Sequence, residues 1–241
     1  MTLAWSTTEQ VSSSSGVKLL TYGEPGAGKT LMCATLPKPV IISAEAGLLS
    51  LRKKNLERQF GVGHPYVRDI PVLQVTTWEQ FVEAYMLFAN PANRMREHAW
   101  SIAIDSVTEV AETILQKLKT GARDPRQAYG EMADRIIGMV KNFRDLAGFH
   151  VYISAKLTYD KDGESNGMKF QPLMPGKQSG PALPYLFDEV FRLGIGTHND
   201  KKYRFLQTGN DQQYVAKDRS GALDLFEPPD LTHVINKILG G

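Results

Sequence analysis

Gly23-Glu24-Pro25-Gly26-Ala27-Gly28-Lys29-Thr30 follows the pattern G-x-x-x-x-G-K-[ST] in full. Glycines at these spacings let successive backbone amides turn toward one centre with no Cβ in the way. A helix opening at the end of the motif adds unpaired N–H groups and a favourable dipole. Lys29 would set its ammonium against the outer phosphates of a nucleoside triphosphate, and the Thr30 hydroxyl would ligate Mg2+. The expected ligand is ATP with Mg2+, held by Gly23, Glu24, Pro25, Gly26, Ala27, Gly28, Lys29, Thr30 and Leu31. The bland alternative is a glycine-rich turn arising by chance. A strand-like run before the motif, Val17 to Tyr22, and a helix-like run after it, Leu31 to Leu36, argue against that.

Two acids stand where such a loop needs them. Ser101-Ile102-Ala103-Ile104-Asp105 is an apolar strand ending in a carboxylate. Ligands collect at the C-terminal ends of strands, so Asp105 is a candidate holder of the metal. The alternative is a plain helix start, because Ser106 and Glu109 form a capping box. Ile41-Ile42-Ser43-Ala44-Glu45 repeats the form. Glu45 is the candidate base for the water that attacks the γ-phosphate. Its alternative is a surface acid near a helix start.

These residues require a scaffold that alternates short strands with helices. The apolar runs Val17 to Tyr22, Pro39 to Ser43, Val72 to Val75, Trp100 to Ile104 and His150 to Ser154 suit buried strands. Trp78, Phe81, Val82, Tyr85 and Phe88 recur at helical spacing behind a Thr77–Gln80 capping box. Met132, Ile136, Val140, Phe143 and Ala147 mark another helix, ending near Gly148. The predicted fold class is α/β, a mainly parallel central sheet with helices on both faces. Val190 to Ile195, Tyr203 to Thr208 and Gln213 to Ala216 read as a C-terminal antiparallel extension, and a helix from about Pro229 to Leu239 closes the chain.

Residues 1–16 read as a flexible arm, with a serine run from Ser12 to Ser15, and residues 17–241 as one domain. The segment 157–181 is rich in Gly, Pro and Lys, and is expected to be a mobile loop that binds DNA. Tyr159, Lys161, Lys169, Phe170 and Lys177 supply the ammonium groups and rings that single strands require, though Asp160, Asp162 and Glu164 interrupt them. A second basic surface comprises Lys117, Lys119, Arg123 and Arg126 with Tyr129. A formal net charge of +2 does not by itself indicate a nucleic acid. The single cysteine, Cys33, excludes an intrachain disulfide, and the five histidines lack metal-like spacing. With only short apolar runs and no basic-then-apolar leader, the expectation is a cytoplasmic protein that does not enter a membrane.

The order of the phosphate loop, a strand ending in Glu45, an extra strand, a strand ending in Asp105 and a further strand resembles the RecA-like ATPases. It is more closely similar to the phage RecA-core proteins described as nucleotide-binding or single-strand-annealing recombinases. The resemblance spans roughly residues 17–239. It implies a Mg2+-requiring, DNA-dependent ATPase that acts on single-stranded DNA in recombination or strand annealing. It also implies ATP sites between subunits of a ring or filament, a single-strand-binding protein as a further partner, and host cytoplasm if the chain is phage-encoded. Lys156 ends its strand where such proteins carry a γ-phosphate sensor and stands at the start of the DNA loop. Lys217-Asp218-Arg219 resembles the K-x-R element that reaches a neighbour's ATP, making Lys217 and Arg219 candidate fingers. The polymerisation and C-terminal domains of bacterial RecA have no counterpart, which implies a core-only annealing protein. Two alternatives remain at this stage: an ATP-binding annealing module with negligible turnover, and a replicative helicase or loader motor.

Overall fold

Adjacent residues on the central strands point to opposite sides, and both sides are buried. Leu19, Ile41, Ala103 and Tyr152 face one hydrophobic cluster, and Leu20, Ile42, Ile104 and Ile153 face another. Such strands cannot alternate apolar with polar residues, which is why they read as continuous apolar runs. The computed structural model describes residues 5–10, 16–45, 47–121, 124–161 and 167–240. Arg123, Asp162, Glu164 and the serine run Ser12 to Ser15 lie outside the described residues.

The strands are β1 (Lys18–Gly23), β2 (Pro39–Ser43), β3 (Val72–Gln74), β4 (Ser101–Asp105), β5 (His150–Lys161), β6 (Met168–Pro172), β7 (Glu189–His198), β8 (Lys201–Gln207), β9 (Lys217–Asp218) and β10 (Phe226–Glu227). They form one ten-stranded sheet in the order β10-β8-β7-β1-β5-β4-β2-β3, with β6 paired to β5 and β9 to β7. From β3 to β7 every neighbour is parallel, while β8, β9, β10 and β6 pair antiparallel. The helices are α1 (Lys29–Met32), α2 (Lys53–Phe60), α3 (Trp78–Ala89), α4 (Met95–His98), α5 (Val107–Gly121), α6 (Pro125–Arg144), α7 (Ser179–Ala182) and α8 (Leu231–Leu239). Helices α3, α5 and α6 cover one face through Phe81, Ile114 and Phe143. The other face is covered by α1 and α8 through Met32, Leu231 and Val234. Each such large apolar side chain contributes about 1.5–3 kcal/mol on full burial.

The Thr77 cap forms as expected, with Gln80 N donating to Thr77 Oγ1 at 3.2 Å. Three elements differ from the sequence expectation. Helix α6 stops at Arg144 rather than near Gly148. Gln213 to Ala216 is not a strand of the extension. It lies parallel beside β6, with Val215 N donating to Phe170 O at 3.0 Å and Phe170 N to Gln213 O at 2.6 Å. The segment 157–181 is not a structureless loop. Strand β5 continues to Lys161 and pairs with β6 from Leu157↔Pro172 to Lys161↔Met168. These pairings bring together residues distant in sequence with sparse apolar alternation, so periodicity within the segment does not reveal them.

Candidate nucleotide site

Strand β1 lies between β5 and β7 and delivers Gly23 to the C-terminal edge of the sheet. A Cβ on Gly23 would lie 2.7 Å from Leu193 O on β7, so only glycine lets the two strands approach this closely. Gly28 caps α1 at φ 112°, in the left-handed region, and thereby turns the chain into the helix. Carbonyls at the start of that helix and just after the turn that follows it are bonded from elsewhere. Tyr152 Oη donates to Lys29 O at 3.1 Å, and Arg68 Nη2 donates to Leu36 O at 2.6 Å. The first helical residue is thereby bonded to strand β5, and the chain after the helix to the segment that follows α2.

Lys29 Nζ donates to Gly23 O at 2.8 Å and Glu24 O at 3.0 Å, folding back over the loop. Burial pushes its pKa down, opposed by the Asp105 and Glu45 carboxylates. An ammonium partly stripped of water gains more from a phosphate than an exposed one does. Thr30 Oγ1 donates to Asp105 Oδ2 at 2.6 Å, and Ser154 Oγ donates a short hydrogen bond to the other carboxylate oxygen. Asp105 is almost wholly buried, so these hydroxyls stabilise its charge. A carboxylate touching a hydroxyl beside a phosphate loop is the all-oxygen donor set that Mg2+ takes, and the residues fit that ion.

The pairing Ser43↔Asp105 places the ends of β2 and β4 side by side, and Ala44 N donates to Asp105 O at 3.0 Å. Ser106 Oγ then donates to Glu45 Oε1 at 2.8 Å. Lys29, Thr30, Glu45 and Asp105, drawn from three segments, thus converge. Ser154 and Tyr152 were not singled out by sequence reasoning. Ser154 was detectable as a small polar residue ending the apolar run from His150, whereas Tyr152 resembled ordinary core.

Other candidates are placed differently. Lys156 Nζ sits between Glu109 and Glu112, 2.8 Å from the latter, so its charge is matched within the chain instead of being left for DNA or a γ-phosphate. Lys217 Nζ donates to Pro184 O at 3.1 Å and to Phe187 O, and Arg219 pairs with Asp188 at 3.0 Å. Both expected fingers are therefore engaged at the N-terminal edge of the sheet, where β9 pairs the start of β7. Lys117 pairs with Glu79 at 2.8 Å, and Lys119 donates to Tyr129 Oη at 2.9 Å. Arg126 and Lys177, from the two separate expected DNA surfaces, line one cavity of about 560 Å³ with Tyr129. Tyr159 and Phe170 are cross-strand partners with ring centroids 5.9 Å apart, beside exposed Lys161 and half-buried Lys169.

Sequence reasoning also missed how far this ring cluster extends. Phe170 stacks on Tyr214 at 4.9 Å, Arg192 lies 3.8 Å over Tyr214 and 5.3 Å from Phe205, and Tyr203 follows at 5.9 Å. The strip crosses from the β5–β6 hairpin to the β7–β8 hairpin, on either side of β1.

A parallel sheet with a phosphate loop on β1, one strand inserted between it and the strand ending in Asp105, and Glu45 beside that acid is the arrangement of a P-loop ATPase. A family model described as "AAA domain" matches residues 15–220, and the chain belongs to that family. Among solved structures it is similar to the KaiC-like protein PH0186 from the hyperthermophilic archaeon Pyrococcus horikoshii OT3, at 14% identity and TM-score 0.44, over 80% of this chain and 77% of that one. It is also similar to the RadB recombinase, at 14% identity and TM-score 0.47, over 80% of this chain and 81% of that one. No curated protein matches the chain. Among the described residues, no helix is long and apolar enough to cross a membrane.

Proposed function

We propose that this ATPase acts on single-stranded DNA in recombination or strand annealing of the phage RecA-core type. ATP would be seated on Gly23 to Leu31 between neighbouring copies in a ring or short filament, with a single-strand-binding protein as a further partner. The observation that carries the reading is the strip of rings and arginine running from Tyr159 through Phe170, Tyr214 and Arg192 to Phe205 and Tyr203. Aromatic faces stack on unpaired bases whatever their identity, and cations follow the backbone. Hairpins that flank the phosphate loop can feel its occupancy, so one strand pair links the two ligands.

In hydrolysis, Lys29 holds the outer phosphates, Glu45 accepts a proton from the attacking water, and Ser106 orients Glu45. Thr30 and Asp105 would hold Mg2+, which neutralises charge on the phosphate oxygens when bound. Engagement of Lys217 and Arg219 within their own chain favours a second reading, in which ATP is bound for annealing with negligible turnover. The test is the ATPase rate with and without single-stranded DNA across a salt series, with Lys29→Ala as the inactive control. Stimulation at low salt that falls steeply as salt rises is expected. No stimulation at low salt removes the DNA reading, and hydrolysis no faster than that of Lys29→Ala supports the second one.

A further inference from the structure

The β7–β8 hairpin has a second face, turned away from the rings. Along β8 the side chains of Lys202 and Arg204 share that face with Leu206, which packs in the cluster beneath α1. The Arg204 guanidinium reaches the phosphate loop itself, and an ideal Cβ on Gly28 would lie 3.1 Å from Arg204 Nε. No hydrogen bond or ion pair engages this side chain among the described residues. Beside it lies a cavity of about 290 Å³ whose lining includes Gly28, Leu31, Phe60, Ile195, Lys202 and Arg204 and contains no carboxylate. Two cations without a counter-charge, set on apolar walls at the edge of a phosphate loop, match a ligand with an anionic end and a flat apolar end.

Strand order decides which part of the nucleotide this is. In the run β8-β7-β1-β5-β4, Arg204 and Asp105 stand on opposite sides of the P-loop strand. The metal and the outer phosphates belong to the Thr30–Asp105 side. The side facing Arg204 is therefore that of the inner phosphate and the nucleoside. Resting on the nucleotide-site reading above, we propose that Arg204 is a phosphate-binding residue acting in its own subunit. It donates to the α-phosphate side of a nucleotide on Gly28, while the adjoining cavity takes the sugar and base. This role is distinct from that of a trans-acting finger, which senses the γ-phosphate.

The test is calorimetric titration of the full chain and its Arg204→Ala and Arg204→Lys variants with ATP and with ADP, both with Mg2+, alongside steady-state hydrolysis. A charge-assisted hydrogen bond to phosphate predicts about a tenfold or greater loss of affinity in Arg204→Ala, equal for ATP and ADP. It also predicts partial recovery of affinity in Arg204→Lys. Wild-type affinity in Arg204→Ala overturns the proposal, as does a loss confined to ATP or to kcat. If the unmodified chain binds neither nucleotide, the phosphate-loop reading itself has failed. If it binds both and Arg204→Ala does as well, only the role of Arg204 is lost.

Discussion

At the scale of single residues, the site is organised around Asp105. Its two oxygens accept hydrogen bonds from hydroxyls on helix α1 and strand β5, and its main-chain carbonyl is bonded by Ala44 N from a third segment. A buried carboxylate must be satisfied by hydrogen bonds, and here each donor also anchors a part of the phosphate site. Glu45 differs in kind: it is half-buried, and among the described residues one hydrogen bond, from Ser106, holds one of its side-chain oxygens. Its other oxygen has no partner among the described residues, whereas both oxygens of Asp105 are held by fixed donors. Glu45→Gln is accordingly expected to leave ATP affinity little changed and to lower hydrolysis by about 10²–10⁴, the usual range for a general base. Phosphate release under saturating ATP, set against binding by calorimetry, measures both. Weakened binding with the rate intact would assign Glu45 to the metal shell.

At the scale of elements, the two projecting hairpins are the distinctive parts. Strands β5 and β7 flank β1 and continue past the edge where the phosphate loop sits. On β7, Gly194 and Gly196 lie under the rings of Phe205 and Tyr203, and a Cβ at either would come within 2.4 Å and 2.6 Å of a ring carbon. Glycine in a strand costs stability, and here the missing side chains let rings lie flat across the neighbouring strand. Tyr159 and Tyr203, at the two ends of the strip, are about half exposed, at 56% and 50%. Tyr159→Ala and Tyr203→Ala are each expected to weaken single-stranded DNA binding by about 1–3 kcal/mol per lost stack. ATP binding without DNA should be unaffected in Tyr159→Ala, which lies away from the cavity beside Gly28. Fluorescence anisotropy with a labelled oligonucleotide checks the first and calorimetry the second, and unchanged DNA affinity in both variants would remove the strip from the DNA surface.

At the scale of the whole molecule, two apolar clusters sandwich the sheet, and the polar groups buried at its N-terminal edge are coupled to pH. Glu189 is fully buried beside Asp218, with Oε2 lacking a partner among the described residues. Burial, and then the Asp218 charge, raise its pKa from 4.5 to about 7. The folded chain thus holds a proton that the unfolded chain has released. Its contribution to stability is complete below about pH 4.5 and is lost as pH rises to about 7, because the unfolded state binds fewer protons there. Glu189→Gln keeps the shape without the charge. Its Tm is expected to exceed that of the native chain at pH 8 and to match it near pH 4.5. Thermal melts at the two pH values decide this, and a variant less stable at pH 8 would show that the charged form is the one the fold needs.

The phosphate loop, both acids, the capped helix at Thr77 and the alternation of strands and helices were readable from residue order. Each depends on local rules: glycine where amides must crowd a phosphate, a carboxylate at a strand's end, and apolar residues at helical or strand spacing. Pairings between distant segments were not readable that way. The pairing of β5 with β6, the junction of Tyr214 with Phe170, the hydroxyl of Ser154 on Asp105 and the approach of Arg204 to Gly28 join residues from 7 to 176 positions apart. Nor could charge alone show that Lys156, Lys217 and Arg219 meet partners at home, since a cation's partner is chosen by packing. Local sequence states which chemistry is available; chain closure in three dimensions determines which groups share it.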